Sequence, residues 1–343
     1  MRGKRIVFSG PNTARLEDFE IDEDNLAEDE VLIETERTLI STGTELANFT
    51  GLSPNVWVKG AWGAYPHVPG YTALGTVRRV GDAVKDFGRE GSRVVPGTRV
   101  FAFTPHASIA VAKVSSRLVF PVADDDDPQE MLLSRMAMVA MSGMRALRTS
   151  AFGRTGVVIG LGLVGLFAAQ LYSSGGGEVL GLDRAPRRVE LAKSLGITAE
   201  VGPDDTSWRT NMADTVIEAI GNPALVPVAV DMARPLGEVI LLGSPRGQGG
   251  EMGPMLSDVH HKGVSITGAF EWLPPFHDAK AGWGPSLETT VHTVMSWIRT
   301  GRLRTEGMVS QVASPESCQE VFGRLASDRN AQFGVVFDWQ ATG

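Results

Sequence analysis

Val157-Val158-Ile159-Gly160-Leu161-Gly162-Leu163-Val164-Gly165, read with Asp183 downstream, is the stretch that decides the fold. Three apolar β-formers run into a Gly-x-Gly-x-x-Gly loop, and Phe167-Ala168-Ala169-Gln170-Leu171 continues at helical spacing. A second apolar run, Glu178-Val179-Leu180-Gly181-Leu182, ends on Asp183, about 20 residues past the glycines. Each part has a job. The first glycine permits the tight turn, the second lets backbone approach a pyrophosphate, and the third lets helix and strand pack closely. The helix start adds amide donors and a positive dipole end, with Leu163 and Val164 in its first turn. The acid at the second strand's end accepts from ribose hydroxyls. Glycine-rich turns alone are common, but strand, loop, helix, strand and acid in this order predict a dinucleotide site.

Outside that unit the bulk numbers narrow the choices. A chain of 343 residues is long enough for two domain-sized cores. A net charge of −8 argues against nucleic acid or an anionic membrane surface as partner. Cys318 is the single cysteine, so no internal disulfide and no cysteine-rich metal cluster can form. Met1-Arg2-Gly3-Lys4-Arg5 is basic, but Ile6 to Pro11 is too short for a signal core, and no run has membrane-spanning length. A cytoplasmic protein is expected.

Up to about Val122 the pattern is β-rich, with Val31–Thr35, Gly75–Gly81, Arg99–Phe103 and Ala107–Val111 set between Gly, Pro and Asp clusters. Asp124 to Asp127 with Pro128 is read as a solvated cap before a long helix over Gln129–Leu147. From Thr155 strand and helix alternate. Helical spacing follows Asp183 and stops at Gly196. Thr215–Ala219 and Glu238–Leu242 are buried-type strands, each closed by a turn, Gly221-Asn222-Pro223 and Gly243-Ser244-Pro245. Val264–Gly268 is a sixth strand, Leu287–Ile298 a last helix, and Gly334–Asp338 a final strand. Gly221, Gly243 and Ser244 join Gly160, Gly162, Leu163, Val164, Gly165 and Asp183 as expected cofactor contacts.

This arrangement, anchored by Ser41-Thr42-Gly43-Thr44-Glu45, Val68-Pro69-Gly70-Tyr71-Thr72-Ala73-Leu74-Gly75, the glycine loop and Leu241-Leu242-Gly243, resembles the medium-chain dehydrogenase/reductase superfamily. The resemblance implies an α/β fold: a GroES-like β-rich catalytic domain over 1–150 and 306–343, and a Rossmann doubly wound parallel-sheet domain over 151–305. Zinc-dependent members carry a cysteine before Gly-Thr-Asp/Glu and a His-Glu pair before the next glycine turn. Those positions correspond here to Thr42 and to Tyr71-Thr72, and the cysteines of a structural zinc lobe are missing. The chain is similar to a zinc-lacking branch that includes bacteriochlorophyllide hydroxyethyl dehydrogenases and polyol or cyclitol dehydrogenases. His261-Lys262-Gly263 before Gly268-Ala269 is part of that likeness, although Phe270 stands where some members have histidine. The same resemblance implies a homodimer.

Without a metal, a side chain must handle the proton that accompanies hydride transfer. Tyr71, in the place of the metal-binding imidazole, is the first candidate, against a tyrosine that only packs its loop. Thr42 and Thr44 are hydroxyls for substrate or ribose, or loop caps. Glu45 is a proton relay or a structural carboxylate, and His67 a general acid–base or a turn histidine. Trp57, Trp62 and Tyr65 line a broad apolar pocket, act as a lid or anchor their own loop, and Glu271 is a candidate substrate contact. His260 and His261 are expected to pack beside the cofactor or at a dimer edge. Asp183 favours NAD by repelling a 2′-phosphate. Arg184, Arg187 and Arg188 either bind adenine or a 2′-phosphate, which keeps NADP open, or form a solvated helix start. The expected function is zinc-independent, NAD(P)-dependent interconversion of alcohol and ketone on a hydroxylated small molecule. Reduction of an activated C=C bond and a catalytically idle NAD(P)-binding protein are the alternatives.

Overall fold

The N-terminal strand turns Ile6, Val7 and Phe8 inward and leaves Met1 and Arg2 in solvent, so β1 (Arg2–Gly10) reads as polar although it belongs to a core. It pairs antiparallel with β2 (Thr13–Glu20), reversing at Pro11-Asn12. Asn12 takes φ 56 there, a left-handed conformation that asparagine tolerates better than most residues. A computed structural model describes residues 1–84, 93–115, 118–202, 210–247, 249, 252–277, 285–328 and 333–340.

β3 (Glu30–Leu39), α1 (Thr44–Phe49), β4 (Ala73–Val80), β5 (Arg99–Ala102), β6 (Ile109–Lys113) and β7 (Val119–Pro121) follow. The strand expected at Ala107–Val111 starts later for a physical reason. Ala107 bridges to Arg5 of β1, and only from Ile109 does the segment pair with β3. α2 (Pro128–Ala146) then begins where Asp127 Oδ1 accepts from the amides of Gln129 and Glu130, a side-chain N-cap.

The strand–helix alternation comprises β8 (Thr155–Ile159), α3 (Leu163–Ser174), β9 (Glu178–Asp183), α4 (Pro186–Ser194), β10 (Thr198–Val201), β11 (Ala213–Glu218), α5 (Val226–Met232), β12 (Ala233–Leu241), α6 (Met252–Lys262) and β13 (Ser265–Gly268). α7 (Leu287–Arg299), β14 (Val309–Ala313), α8 (Cys318–Ser327) and β15 (Gly334–Asp338) complete the order. No helix among the described residues is long and apolar enough to cross a membrane.

Two compact units result. The first holds residues 1–135, 275–289 and 309–343, and the second 136–274 and 290–308, so the division falls inside α2. In the first unit a seven-stranded sheet runs β14-β15-β3-β4-β5-β7, with β6 also paired to β3. Its core joins Ile6, Phe8, Phe49, Phe322 and Phe337, so apolar side chains of β1, α1, α8 and β15 exclude water together. In the second unit six parallel strands run β10-β9-β8-β11-β12-β13. All six residues of β11 are buried, as expected of a parallel strand covered on both faces. The chain goes outward from β8 to β9 and β10, then restarts on the other side with β11. That reversal lies between β8 and β11, where doubly wound sheets bind ligands at their carboxyl ends.

Candidate active site and cofactor site

In the second unit, the turn after β8 is built by glycines with separate duties. Gly160 takes φ 98. Gly165 lies one turn into α3, and a Cβ there would sit 1.8 Å from the Gly160 carbonyl oxygen. Helix and strand can approach this closely only without that side chain. Gly162 caps α3 with φ −70, and a Cβ on it would meet no protein atom within 4 Å. The space it leaves is open, beside first-turn amides of Leu163, Val164 and Gly165 that have no partner inside the helix. A pyrophosphate fits the chemistry of this loop.

Asp183, at the end of β9, is only 6% exposed. Its Oδ2 accepts from the Leu161 amide at 2.8 Å and its Oδ1 from the Ala185 amide at 2.9 Å. The carboxylate therefore braces the glycine loop while keeping further lone pairs for a ribose hydroxyl. Arg188 Nη1 lies 3.4 Å from Oδ2, whereas the Arg184 and Arg187 side chains are exposed.

Glu218, which the sequence reading passed over, closes β11. It is buried, and its carboxylate accepts from the amides of Ile220 and Gly221 at 2.9 Å. Burial pushes its carboxyl up, and the amides of Gly221, Ile220 and Asn222 oppose the rise. Gly221 and Gly243 are pressed together: a Cβ on Gly243 would lie 2.1 Å from the Gly221 nitrogen. A glutamate ending an apolar strand just before Ala-Ile-Gly-Asn was the available signal. Ser244 is exposed beside this turn.

The first unit gathers the hydroxyl and carboxylate candidates. Tyr71 is half-buried, and its hydroxyl shares hydrogen bonds with the side chains of Ser41 and Thr44. Burial pushes its phenol up; the Arg135 guanidinium pulls it down, Glu45 adds to the rise, and the two hydroxyls pull it down. Arg135, 1% exposed, lies with Cζ 4.8 Å from the Tyr71 ring centroid and 5.1 Å from that of Phe103. The apolar stretch of α2 gave no warning of a guanidinium here.

Glu45 is 1% exposed in α1, with Oε1 accepting from the Ser41 amide at 2.8 Å and Oε2 at 2.7 Å from His106 Nε2. His106, fully buried, also meets Thr38 Oγ1 at 2.7 Å through Nδ1, and that oxygen accepts from Trp339 Nε1 at 3.0 Å. A carboxylate only accepts, so Nε2–H donates to Glu45. Thr38 Oγ1 thus bridges the imidazole and the Trp339 indole, and both ring nitrogens of His106 have a partner. His106 was missed by the sequence reading; Pro-His-Ala between two strands is all that marked it.

His67 is buried rather than at the surface, because its backbone pairs with Phe8 of β1 through two hydrogen bonds. Its Nε2 has no hydrogen-bond partner. Burial holds the imidazole below its usual range, opposed by Glu45 and reinforced by His106. Trp62 touches it edge-on at 5.2 Å while remaining 57% exposed. Thr42 stays half-exposed in the turn before α1. Thr104, just past the end of β5, and Thr72 and Ser134 beside Tyr71 and Arg135 in sequence, keep buried hydroxyls without partners. Such groups are uncommon in folded proteins. Elsewhere, His260 and His261 end α6 exposed, with His261 Nδ1 at 2.8 Å from the Ser257 carbonyl. Trp57 and Phe270 are exposed and Glu271 half-buried.

Zinc does not fit the donor set at Thr42, Tyr71 and Thr72, which offers hydroxyls where about three thiolate, imidazole or carboxylate ligands are needed. Among the described residues no three His, Cys, Asp or Glu side chains converge for a metal.

Comparison with known proteins agrees with this architecture. The zinc-binding dehydrogenase family matches residues 164–280. Over its whole length the chain is 27% identical to 2-desacetyl-2-hydroxyethyl bacteriochlorophyllide A dehydrogenase of Cereibacter sphaeroides, all of which is covered. It is 24% identical to D-arabinitol dehydrogenase 1 of Uromyces fabae, over 79% of this chain and 82% of that one. The crystal structure of galactitol-1-phosphate dehydrogenase from Escherichia coli superposes with a TM-score of 0.78, covering 98% of this chain and 99% of that one at 19% identity. In sequence and in fold the chain is similar to dehydrogenases of the medium-chain dehydrogenase/reductase, zinc-type alcohol dehydrogenase-like superfamily.

Proposed function

We propose that this protein is a zinc-independent, NAD-dependent oxidoreductase that interconverts alcohol and ketone on a hydroxylated small molecule. The observation that carries the reading is Tyr71: its hydroxyl is hydrogen-bonded to Ser41 and Thr44 where the superfamily's metal ligands are expected. The relatives named above as a bacteriochlorophyllide and an arabinitol dehydrogenase support a secondary alcohol or its ketone as substrate class.

The second unit supplies the dinucleotide's holders. Gly160, Gly162 and Gly165 with the amides of Leu163 and Val164 take the pyrophosphate; Asp183 takes the ribose hydroxyls; Gly221, Gly243 and Ser244 flank the next strand ends. Asp183 favours NAD, while exposed Arg184 and the partly buried Arg188 are what a 2′-phosphate would engage. When bound, the nicotinamide supplies the acceptor or donor of a hydride. The first unit supplies the proton chemistry. In oxidation the Tyr71 phenolate takes the hydroxyl proton as the carbinol carbon gives up hydride and the C=O bond forms; in reduction the phenol returns that proton. Thr42 and Thr44 hold the substrate oxygen or the Tyr71 hydroxyl. Glu45, through Ser41 and His106, fixes the turn that carries them, and His67 offers its unpartnered Nε2 to a substrate hydroxyl. A cytoplasmic homodimer completes the proposal.

The test is the 340 nm absorbance change with a panel of polyols, their ketones and enones, using either cofactor, on protein assayed for zinc. Turnover of polyols with NAD, surviving chelation, is expected. Turnover of enones alone would replace this reading with C=C reduction, and stoichiometric zinc would overturn the metal-free mechanism. Tyr71→Phe is expected to slow turnover about 100- to 10,000-fold.

A further inference from the structure

We propose that Arg135 is a positioning residue for Tyr71: its guanidinium, buried between the Tyr71 and Phe103 rings, orients the phenol and stabilises its ionised form. The inference rests on the reading of Tyr71 as the proton-handling group.

A charge so far from water needs compensation, since an isolated buried ion is strongly disfavoured. Arg135 is 1% exposed and sits 4.8 and 5.1 Å from two aromatic centroids, so part of its compensation comes from ring faces. Arginine suits this place because its planar, weakly hydrated cation stacks, whereas an ammonium holds its water more tightly. The position follows from α2, which delivers the side chain from a stretch of apolar neighbours, Met131, Leu132 and Met136, to the ring of Tyr71.

The electrostatic consequence has a definite sign. The groups facing Tyr71 are Arg135 from α2, Glu45, Ser41 and Thr44 from the α1 turn, with His67 and His106 bearing on the same carboxylate. Burial and Glu45 both favour the neutral phenol. Among the described residues Arg135 is the cation acting on Tyr71, and it favours the phenolate that must accept the alcohol proton. Where a zinc enzyme would place a cation to stabilise an alkoxide, this chain places a guanidinium against the residue that receives the proton. Tyr71 thus moves its proton in a site whose charge is balanced by Arg135.

The chain has three tyrosines, so 3,5-difluorotyrosine, whose phenol ionises well below that of tyrosine, can replace all of them and be followed by ¹⁹F resonance. Loss of one signal in Tyr71→Phe assigns the Tyr71 resonance. In Arg135→Met its titration midpoint is expected to rise by about 1 to 3 pH units. Arg135→Lys should restore a large part of the difference, because the charge returns without the planar stack. Removing a buried guanidinium can cost the fold, so Arg135→Gln, which keeps a planar polar end, is the second neutral variant. A midpoint that stays at the wild-type value in a folded Met or Gln variant would overturn the proposal. In alcohol oxidation the limb of the pH–rate profile that rises as the phenol ionises should move with the midpoint, and Arg135→Lys should bring it back. Normal turnover by Tyr71→Phe would sink the proton-donor reading while leaving the ¹⁹F result standing, so the two failures are distinguishable.

Discussion

Gly162→Ala separates a glycine needed by the fold from one needed by a ligand. At Gly162 the backbone is at φ −70, ψ −177, extended and open to any residue, and an added methyl meets nothing within 4 Å. Alanine there removes freedom from the unfolded chain, stabilising by about 0.4–1 kcal/mol. It caps the helix less well, which offsets the gain by a similar amount. The melting temperature should therefore stay within about 4 °C of wild type. A methyl pushed against a pyrophosphate is overpacking, worth about 1–3 kcal/mol. That range weakens NADH affinity roughly 5- to 150-fold. Gly165→Ala is the contrast. Its methyl would lie 1.8 Å from the Gly160 carbonyl oxygen, which must retreat by about 1.5 Å to reach ordinary contact. That variant should lose both melting temperature and affinity. NADH fluorescence titration beside a thermal melt reads both quantities. Wild-type affinity in a folded Gly162→Ala would refute the close approach of ligand to this loop.

Three further outcomes follow from the same geometry. Glu45→Ala leaves the Ser41 amide and His106 Nε2 without their buried acceptor and should lower unfolding free energy by about 1–3 kcal/mol for each, read from urea titration; an unchanged midpoint would mean the pair is not formed. Asp183→Ala should shift preference from NAD toward NADP and also destabilise, since the Leu161 and Ala185 amides lose their acceptor at about 1–3 kcal/mol each. His67 is held below the 6.5 of a free imidazole, so the unfolded chain binds its proton first as pH falls. Its contribution is complete above that value and is lost as pH drops toward the folded one. His67→Phe keeps an aromatic ring against Trp62 and should flatten the melting-temperature profile as pH falls below the free imidazole's 6.5.

The second unit was legible because its signals are local. Strand, glycine loop, helix and Asp183 lie within one continuous segment, and the observed β9 matches the expected Glu178–Asp183. α6 was missed because Gly253 and Pro254 suggest a loop, yet both stand in a first turn where proline's missing amide goes unnoticed. The first unit hid more, because its site is assembled from distant pieces. Glu45 and Tyr71 were marked by short motifs. His106, Thr38 and Trp339 come together only through strand pairing, and Arg135 sits in a helix whose sequence reads as plain core. A buried charge with a ring on each side is a tertiary fact, and no periodicity announces it.

The place of β15 sets the order in which this polypeptide can mature. Its strand lies between β14 and β3, and the Ile40 amide donates to the Val335 carbonyl. A ribosome adding about 5–20 residues per second needs roughly 15–60 s to travel that distance. During that interval the edge of β3 that β15 will cover is exposed, with Leu39 and Ile40 unshielded by Val335 and Phe337. β8 to β13 meanwhile have all their sheet partners already synthesised. The nascent chain is thus expected to carry a finished nucleotide module beside an unfinished β-unit, and holdase chaperones should find their target in the segment around Leu39.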